Sequence, residues 1–334
     1  MNRDKRYLFI LCTAAIITVS VMIAALCIGR YTISAGDVIL YLLTGKEGDP
    51  MLKTLMWGVR IPRVIIAFIT GAGLSVSGVA LQAMFGNPLV STHVLGVSYS
   101  SGFGAALGIL LFSHFAYVET FSMIFGFLGM ALTYVLSRKK GTSSTLMLVL
   151  SGIIVGSVFE ALTSFIKYIA DPEQKLPSIT YWLMGSMAGS SMSDVLFALP
   201  LIGTAVLLLW LIRWRLNVIS LSEDEAKSMG INLKQTRLLV VIATTVIAAT
   251  VVSMCGVISF VGLAIPHLTR MLAGNDHRYL LPLSILTGAA YMIIIDTLAR
   301  SLTAAEIPLS ILTALIGAPI FALMLRRTGG AWNA

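Results

Sequence analysis

Long apolar runs, each close to the thickness of a bilayer, are broken along this chain by short segments rich in Gly, Pro, Lys and Arg. A helix needs about 20 apolar residues to cross the hydrocarbon layer. Ten segments meet or approach that length: residues 7–29, 61–84, 94–112, 117–137, 143–169, 193–212, 238–258, 260–273, 279–303 and 307–325. An amphipathic stretch, 31–56, separates the first two and contains a turn at 45–50. Residues 171–175 form a loop, and residues 178–188 are apolar but too short to cross, which suits a re-entrant or interfacial helix. The longest polar segment is 213–237. The pattern predicts an all-α, polytopic membrane protein, a single transmembrane domain over residues 1–334 with about ten transmembrane helices.

Composition agrees. Of 334 residues, 57% are hydrophobic and 11% charged, where a soluble domain carries about 25% charged residues. The net charge of +8 suggests topology rather than nucleic acid, because the basic residues cluster between apolar runs. With the N-terminus in the cytoplasm, the inner segments hold 15 Lys and Arg and the outer segments 8. That bias predicts both termini in the cytoplasm of a cytoplasmic (inner) membrane protein, in keeping with an even number of spans. The apolar run after Arg3, Lys5 and Arg6 is too long for a signal-peptide core and is read as a retained first span. Cys12, Cys27 and Cys255 lie in separate apolar runs with no metal-ligand spacing.

Small residues recur four apart: Gly71 and Ser75, Gly73 and Ser77, Gly104 and Gly108, Gly152 and Gly156. Such spacing lets helix backbones approach closely in lipid. The four histidines, His93, His114, His267 and His277, form no ligand cluster. No G-x-x-x-x-G-K-[ST] is present, so the chain is not expected to bind or hydrolyse ATP, and no cofactor or metal site is expected.

Four features remain. Arg60 and Arg63 open the second span and Arg300 closes the ninth, against the topology bias. They suit either snorkelling to the interface or a positive ring for an acidic extracytoplasmic partner, and Asp296 shares a helix face with Arg300. The stretch Ser222, Glu223, Asp224, Glu225, Ala226, Lys227, Ser228, Met229, Gly230 reads as a capping box, a short helix and a turn. With residues 231–237 it predicts two short cytoplasmic helices joined at a glycine, either a solvated linker or a docking element. Gly86, Asn87, Pro88 and Leu89 break the chain between spans two and three, just after Gln82, and read as a tight turn. Glu160 is a carboxylate inside span five, with Lys167 two turns on. It must face the bundle or a cavity.

Taken in order, several motifs resemble one family: the FecCD-type permeases of ABC importers for iron-siderophores, haem and cobalamin. They are Arg60 to Arg63; Gln82 with Asn87, Pro88 and Leu89; Tyr181 to Gly185; the segment 225–230; Gly256 through His267 to Arg270; Gly274 to Arg278; Asp296 with Arg300; Glu306 with Pro308; and Gly317 with Pro319. At Val90, Ser91, Thr92 and His93 the chain departs from the usual family pattern. The resemblance implies a type II ABC importer permease architecture and a second permease copy, as a homodimer with the pathway at the interface. It implies two copies of an ATPase subunit, which would use ATP, and an extracytoplasmic substrate-binding protein. It places binding-protein docking at Arg60, Arg63 and Arg300, and ATPase coupling in a segment of about 221–237. It places a cytoplasmic gate at Asn87, Leu89 and Thr145, with Ser143 and Ser144 as alternatives to Thr145. It makes Gly152, Gly156 and Glu160 pathway-lining residues. The implied cargo is a metal chelate, ferric siderophore before haem and cobalamin, with molybdate-type oxyanions remote. An ATP-independent secondary transporter or channel is the rival, and a structural scaffold a third class.

Overall fold

A computed structural model describes residues 3–29, 33–44, 50–112, 114–139, 142–143, 145–221 and 223–328. Among the described residues, fifteen α-helices run in chain order. They are α1 (Arg3–Cys27), α2 (Ala35–Thr44), α3 (Pro50–Leu55), α4 (Ile61–Phe85), α5 (Val97–Leu111), α6 (Phe115–Ser137), α7 (Thr145–Ile169) and α8 (Lys175–Met184). They continue as α9 (Met192–Leu211), α10 (Arg213–Ile219), α11 (Glu223–Ser228), α12 (Leu233–Cys255), α13 (Val261–Ala273), α14 (His277–Ser301) and α15 (Leu309–Thr328). A π-helical turn, Met56–Arg60, leads into α4, and a 3₁₀ turn, Thr92–Leu95, precedes α5. Arg138–Lys139 and Thr142–Ser143 pair as a two-residue antiparallel ribbon.

Seven of the described helices are long and apolar enough to cross a membrane; α5 and α15 are shorter apolar helices. With the 13-residue α13, they account for the ten apolar runs of the sequence. The amphipathic stretch becomes α2 and α3, and the apolar segment near 178–188 becomes the ten-residue α8.

The bundle is organised around α4, which is buried along nearly its whole length, whereas α1 exposes most of its surface. Lipid tails are as apolar as leucine, so close packing rather than water exclusion holds such helices together. Here α4 meets α14 glycine to glycine. A methyl group on Gly71 would sit 2.1 Å from the carbonyl oxygen of Gly288, so only glycine admits that crossing. On α5, a methyl group on Gly104 would lie 2.3 Å from Phe121 O in α6. The repeated small residues are therefore helix-contact sites.

Candidate functional site: two ends of the bundle and the face of α7

At the end of the bundle where α4 begins and α14 ends, Pro62 lies in the first turn of α4, directly after the π-helical turn. Arg63, one residue on, is 4% exposed. Its Nε donates to both oxygens of Asp296, at 2.9 and 3.0 Å. Its Nη1 and Nη2 donate to Oε1 and Oε2 of Glu306, both at 2.8 Å. Asp296 is buried, while the Glu306 side chain keeps 28% of its exposure.

Arg60 and Arg300 are also buried. Both reach the C-terminus of α1, where the last carbonyls of a helix lack intrahelical donors and carry partial negative charge. Arg60 donates to Leu26 O and Cys27 O, and Arg300 to Ala25 O. Arg300 Nε stands 3.7 Å from Asp296 Oδ2. The expected Asp296–Arg300 pair is therefore the looser contact, and Arg63 is the main partner of Asp296. In the chain alone the three guanidinium groups form a buried network instead of an exposed ring. Beside it opens a cavity of about 480 Å³ lined by Gly29 and residues 300–304.

At the other end of α4, Gly86 takes a left-handed conformation (φ 58°) as the helix stops. Asn87 Oδ1 accepts from Leu89 N at 2.9 Å, an Asx turn. Asn87 and Leu89 are exposed, and Thr145, the first residue of α7, is half-buried. Gln82, one turn before the break, donates to Gly262 O and accepts from Arg270 Nη2 at 2.9 Å. This ties the turn to α13. Ser144 and the Ser143 side chain lie outside the described residues.

The polar segment contains α10 and α11. Ser222 and the Glu223 and Lys227 side chains lie outside the described residues. Asp224 and Glu225 are exposed, Met229 is half-exposed, and Ala226 is buried. Gly230 turns the chain at φ 75°. Past this turn the chain does not form the expected second short helix. Asn232 caps the first turns of α12, accepting from Gln235 N at 3.0 Å, and the helix runs unbroken to Cys255. The amphipathic start and the apolar run share one helical period, so nothing stops the helix between them.

Upstream, α10 is fastened to the start of α14. Asn217 donates to Asp276 Oδ1 and accepts from His277 N, both at 2.8 Å. Burial alone would raise the Asp276 pKa. The side-chain and backbone donors of Arg278, with Asn217, outweigh it and hold the carboxyl well below the usual range. Hydropathy gave no sign of this staple.

On α7, Gly152 and Gly156 are buried, whereas Glu160, one turn past Gly156, stands at the edge of that buried stripe and is exposed. A methyl group on Gly152 would lie 2.2 Å from Val94 O, and one on Gly156 would lie 3.0 Å from the Tyr99 ring. Both glycines pack against the chain entering α5. Glu160 lies among Ile153, Ile154, Ser157, Val158, Ser164 and Phe165 on the exposed side. Among the described residues no ion pair joins it to Lys167.

The profile of the FecCD transport family matches residues 16–327. The chain belongs to this family.

Among its relatives, the molybdate import system permease protein MolB of Haemophilus influenzae is 45% identical over 91% of each chain. The cobalamin import system permease protein BtuC of Halobacterium salinarum is 39% identical over 86% of this chain and 78% of its own length. A solved metal-chelate-type ABC transporter in an inward-facing conformation superposes with a TM-score of 0.87 at 42% identity, covering 95% of this chain and 99% of that one. This FecCD member is thus an ABC-transporter permease with the type II importer fold, in a family of transporters and not of enzymes.

Proposed function

We propose that the chain is the permease of a binding-protein-dependent importer that moves a metal chelate or metal oxyanion across the cytoplasmic membrane, powered by a separate ATPase. The observation that carries this reading is the exposed face of α7. Glu160 lies deep within a 25-residue apolar span and on its uncovered side. A carboxylate facing hydrocarbon is costly, so a second permease copy and a water-filled path supply its surroundings. In this reading Ser157, Glu160 and Ser164 line the path, and Gly152 and Gly156 hold α7 against the bundle.

The single domain of residues 1–334 keeps both termini in the cytoplasm. The turn at Asn87 and Leu89 together with Thr145 narrows the cytoplasmic end. The exposed acids of α11 and Gly230 meet two ATPase copies, and the staple from Asn217 to Asp276 passes their motion to α14. At the outer end, acidic residues of a binding protein approach the cavity beside Arg300, with Arg60 and Arg63 behind it. The 45% identity with a molybdate permease supports placing a molybdate-type oxyanion first, ahead of ferric siderophore, haem and cobalamin.

The test is uptake by proteoliposomes holding the permease, its ATPase and its binding protein, with labelled molybdate and a labelled ferric chelate. Uptake requires ATP, and Glu160→Leu or Val158→Trp lowers it at unchanged assembly. Uptake without ATP or binding protein supports the secondary-transporter rival and refutes the proposal.

A further inference from the structure

A trough runs along the outside of the bundle between α6 and α12, enclosing about 210 Å³. Its walls are two helical stripes: Phe127, Met130, Ala131 and Tyr134 from α6, and Leu238, Val241, Ile242 and Thr245 from α12. Met130, Val241 and Thr245 form a buried floor, while Phe127, Leu238 and Ile242 stand exposed at the rims. The floor hydroxyl, Thr245 Oγ1, donates within its own helix to Val241 O at 2.7 Å. The trough therefore offers an apolar chain no competing polar group.

The helices that make it run antiparallel, and their register is set where they meet. A methyl group on Gly126 would lie 3.0 Å from Ala249 Cβ. Twelve residues beyond Gly126, just past the end of α6, stands Arg138, and twelve before Ala249 along α12 stands Arg237. The two arginines thus come to one level, at one end of the trough. Lys234, one turn earlier than Leu238, continues the α12 stripe and is exposed, as is Arg138. The Arg138 guanidinium lies over the Tyr134 ring, 4.9 Å from its centroid, which brings positive charge to the rim of the apolar channel. Tyrosine is enriched at the headgroup level of membranes.

We propose that this trough is a binding site for an anionic phospholipid of the inner leaflet, its acyl chain along the α6–α12 groove and its phosphate at the exposed Arg138 and Lys234. Apolar length, two exposed cations at one end and an aromatic ring beside them match a lipid whose headgroup carries net negative charge. A zwitterionic lipid matches only the apolar part. The inference rests on the topology proposed above for naming the inner leaflet. The site itself depends only on the two helices. Since α12 continues from α11, the same lipid would brace the helix that leaves the coupling segment.

The experiment is lipid analysis of the intact permease–ATPase complex, isolated in nanodiscs of equal phosphatidylglycerol and phosphatidylethanolamine, with retained lipid counted by native mass spectrometry. This readout does not depend on which way the complex faces, so failure of the topology and failure of the site are separable. Phosphatidylglycerol is expected to be enriched. Each removed charge should lower its retention about five-fold, so Arg138→Gln with Lys234→Gln should lower it about 25-fold and leave phosphatidylethanolamine unchanged. Ala131→Trp, which fills the trough without altering charge, should expel both lipids from the site. Equal retention of the two lipids by the wild type, or unchanged phosphatidylglycerol in the double variant, overturns the proposal. So does loss of the permease dimer with Ala131→Trp at constant lipid content, which would make the trough a subunit contact.

Discussion

Replacing Arg63 and Asp296 one at a time and then together asks whether charge balance holds the end of the bundle where α4 begins and α14 ends. Among the described residues the network has three guanidinium groups, on Arg60, Arg63 and Arg300, and two carboxylates, on Asp296 and Glu306, a net charge of +1. Asp296→Leu leaves three buried cations around one carboxylate, a net +2. Arg63→Met leaves two cations and two carboxylates, and Arg300 is still 3.7 Å from Asp296. The double variant returns to +1. Breaking a buried ion pair from one side costs about 3–5 kcal/mol, whereas replacing both partners by apolar groups is often nearly neutral. At about 2.1 cal/mol/K of unfolding entropy per residue, 334 residues convert that loss into a drop of about 4–7 °C in melting midpoint. Asp296→Leu should therefore melt lowest, Arg63→Met next, and the double variant near wild type. Fluorescence-detected thermal unfolding of the purified complex measures all three. If the double variant melts as low as Asp296→Leu, the network is not held by charge balance and the reasoning fails.

Gly71→Ala should lower the melting midpoint by the equivalent of about 1–3 kcal/mol through overpacking against Gly288. Gly203→Ala in α9, with open space around the added methyl group, should raise stability by up to about 1 kcal/mol through helix propensity; the same melting assay compares them. Asp276 caps α14 and has a lowered folded-state pKa. Its contribution is full above the unfolded value of about 3.9 and is lost as pH falls through the folded value. Asp276→Ala should cost about 1 kcal/mol at pH 7, and its melting difference from wild type should shrink below pH 4. Gly230→Ala meets no neighbour within 4 Å but forces a left-handed backbone on a side chain, at about 1–2 kcal/mol. It should reduce transport-coupled ATP hydrolysis far more than it lowers melting; equal effects would count against a coupling role for the turn.

Hydropathy alone determined the ten apolar runs, because a bilayer demands a minimum apolar length and satisfied backbone bonds wherever the chain crosses. The glycine pairs were legible for the same reason: spacing of four puts small residues on one helix face. The sequence also marked Arg60, Arg63 and Arg300 as out of place, although not what they touch. Arg63 meets Asp296 across 233 residues and Glu306 across 243, and no local pattern encodes such a meeting. Only packing decided which side of α7 Gly152 and Glu160 occupy, since an all-round apolar helix carries no stripe to say which face turns inward. The same limit hid the Asn217 staple and the level at which Arg138 and Arg237 come together. A membrane-spanning sequence states where its helices begin and end; which of their few polar groups meet is settled by the crossings of α4, α6, α12 and α14.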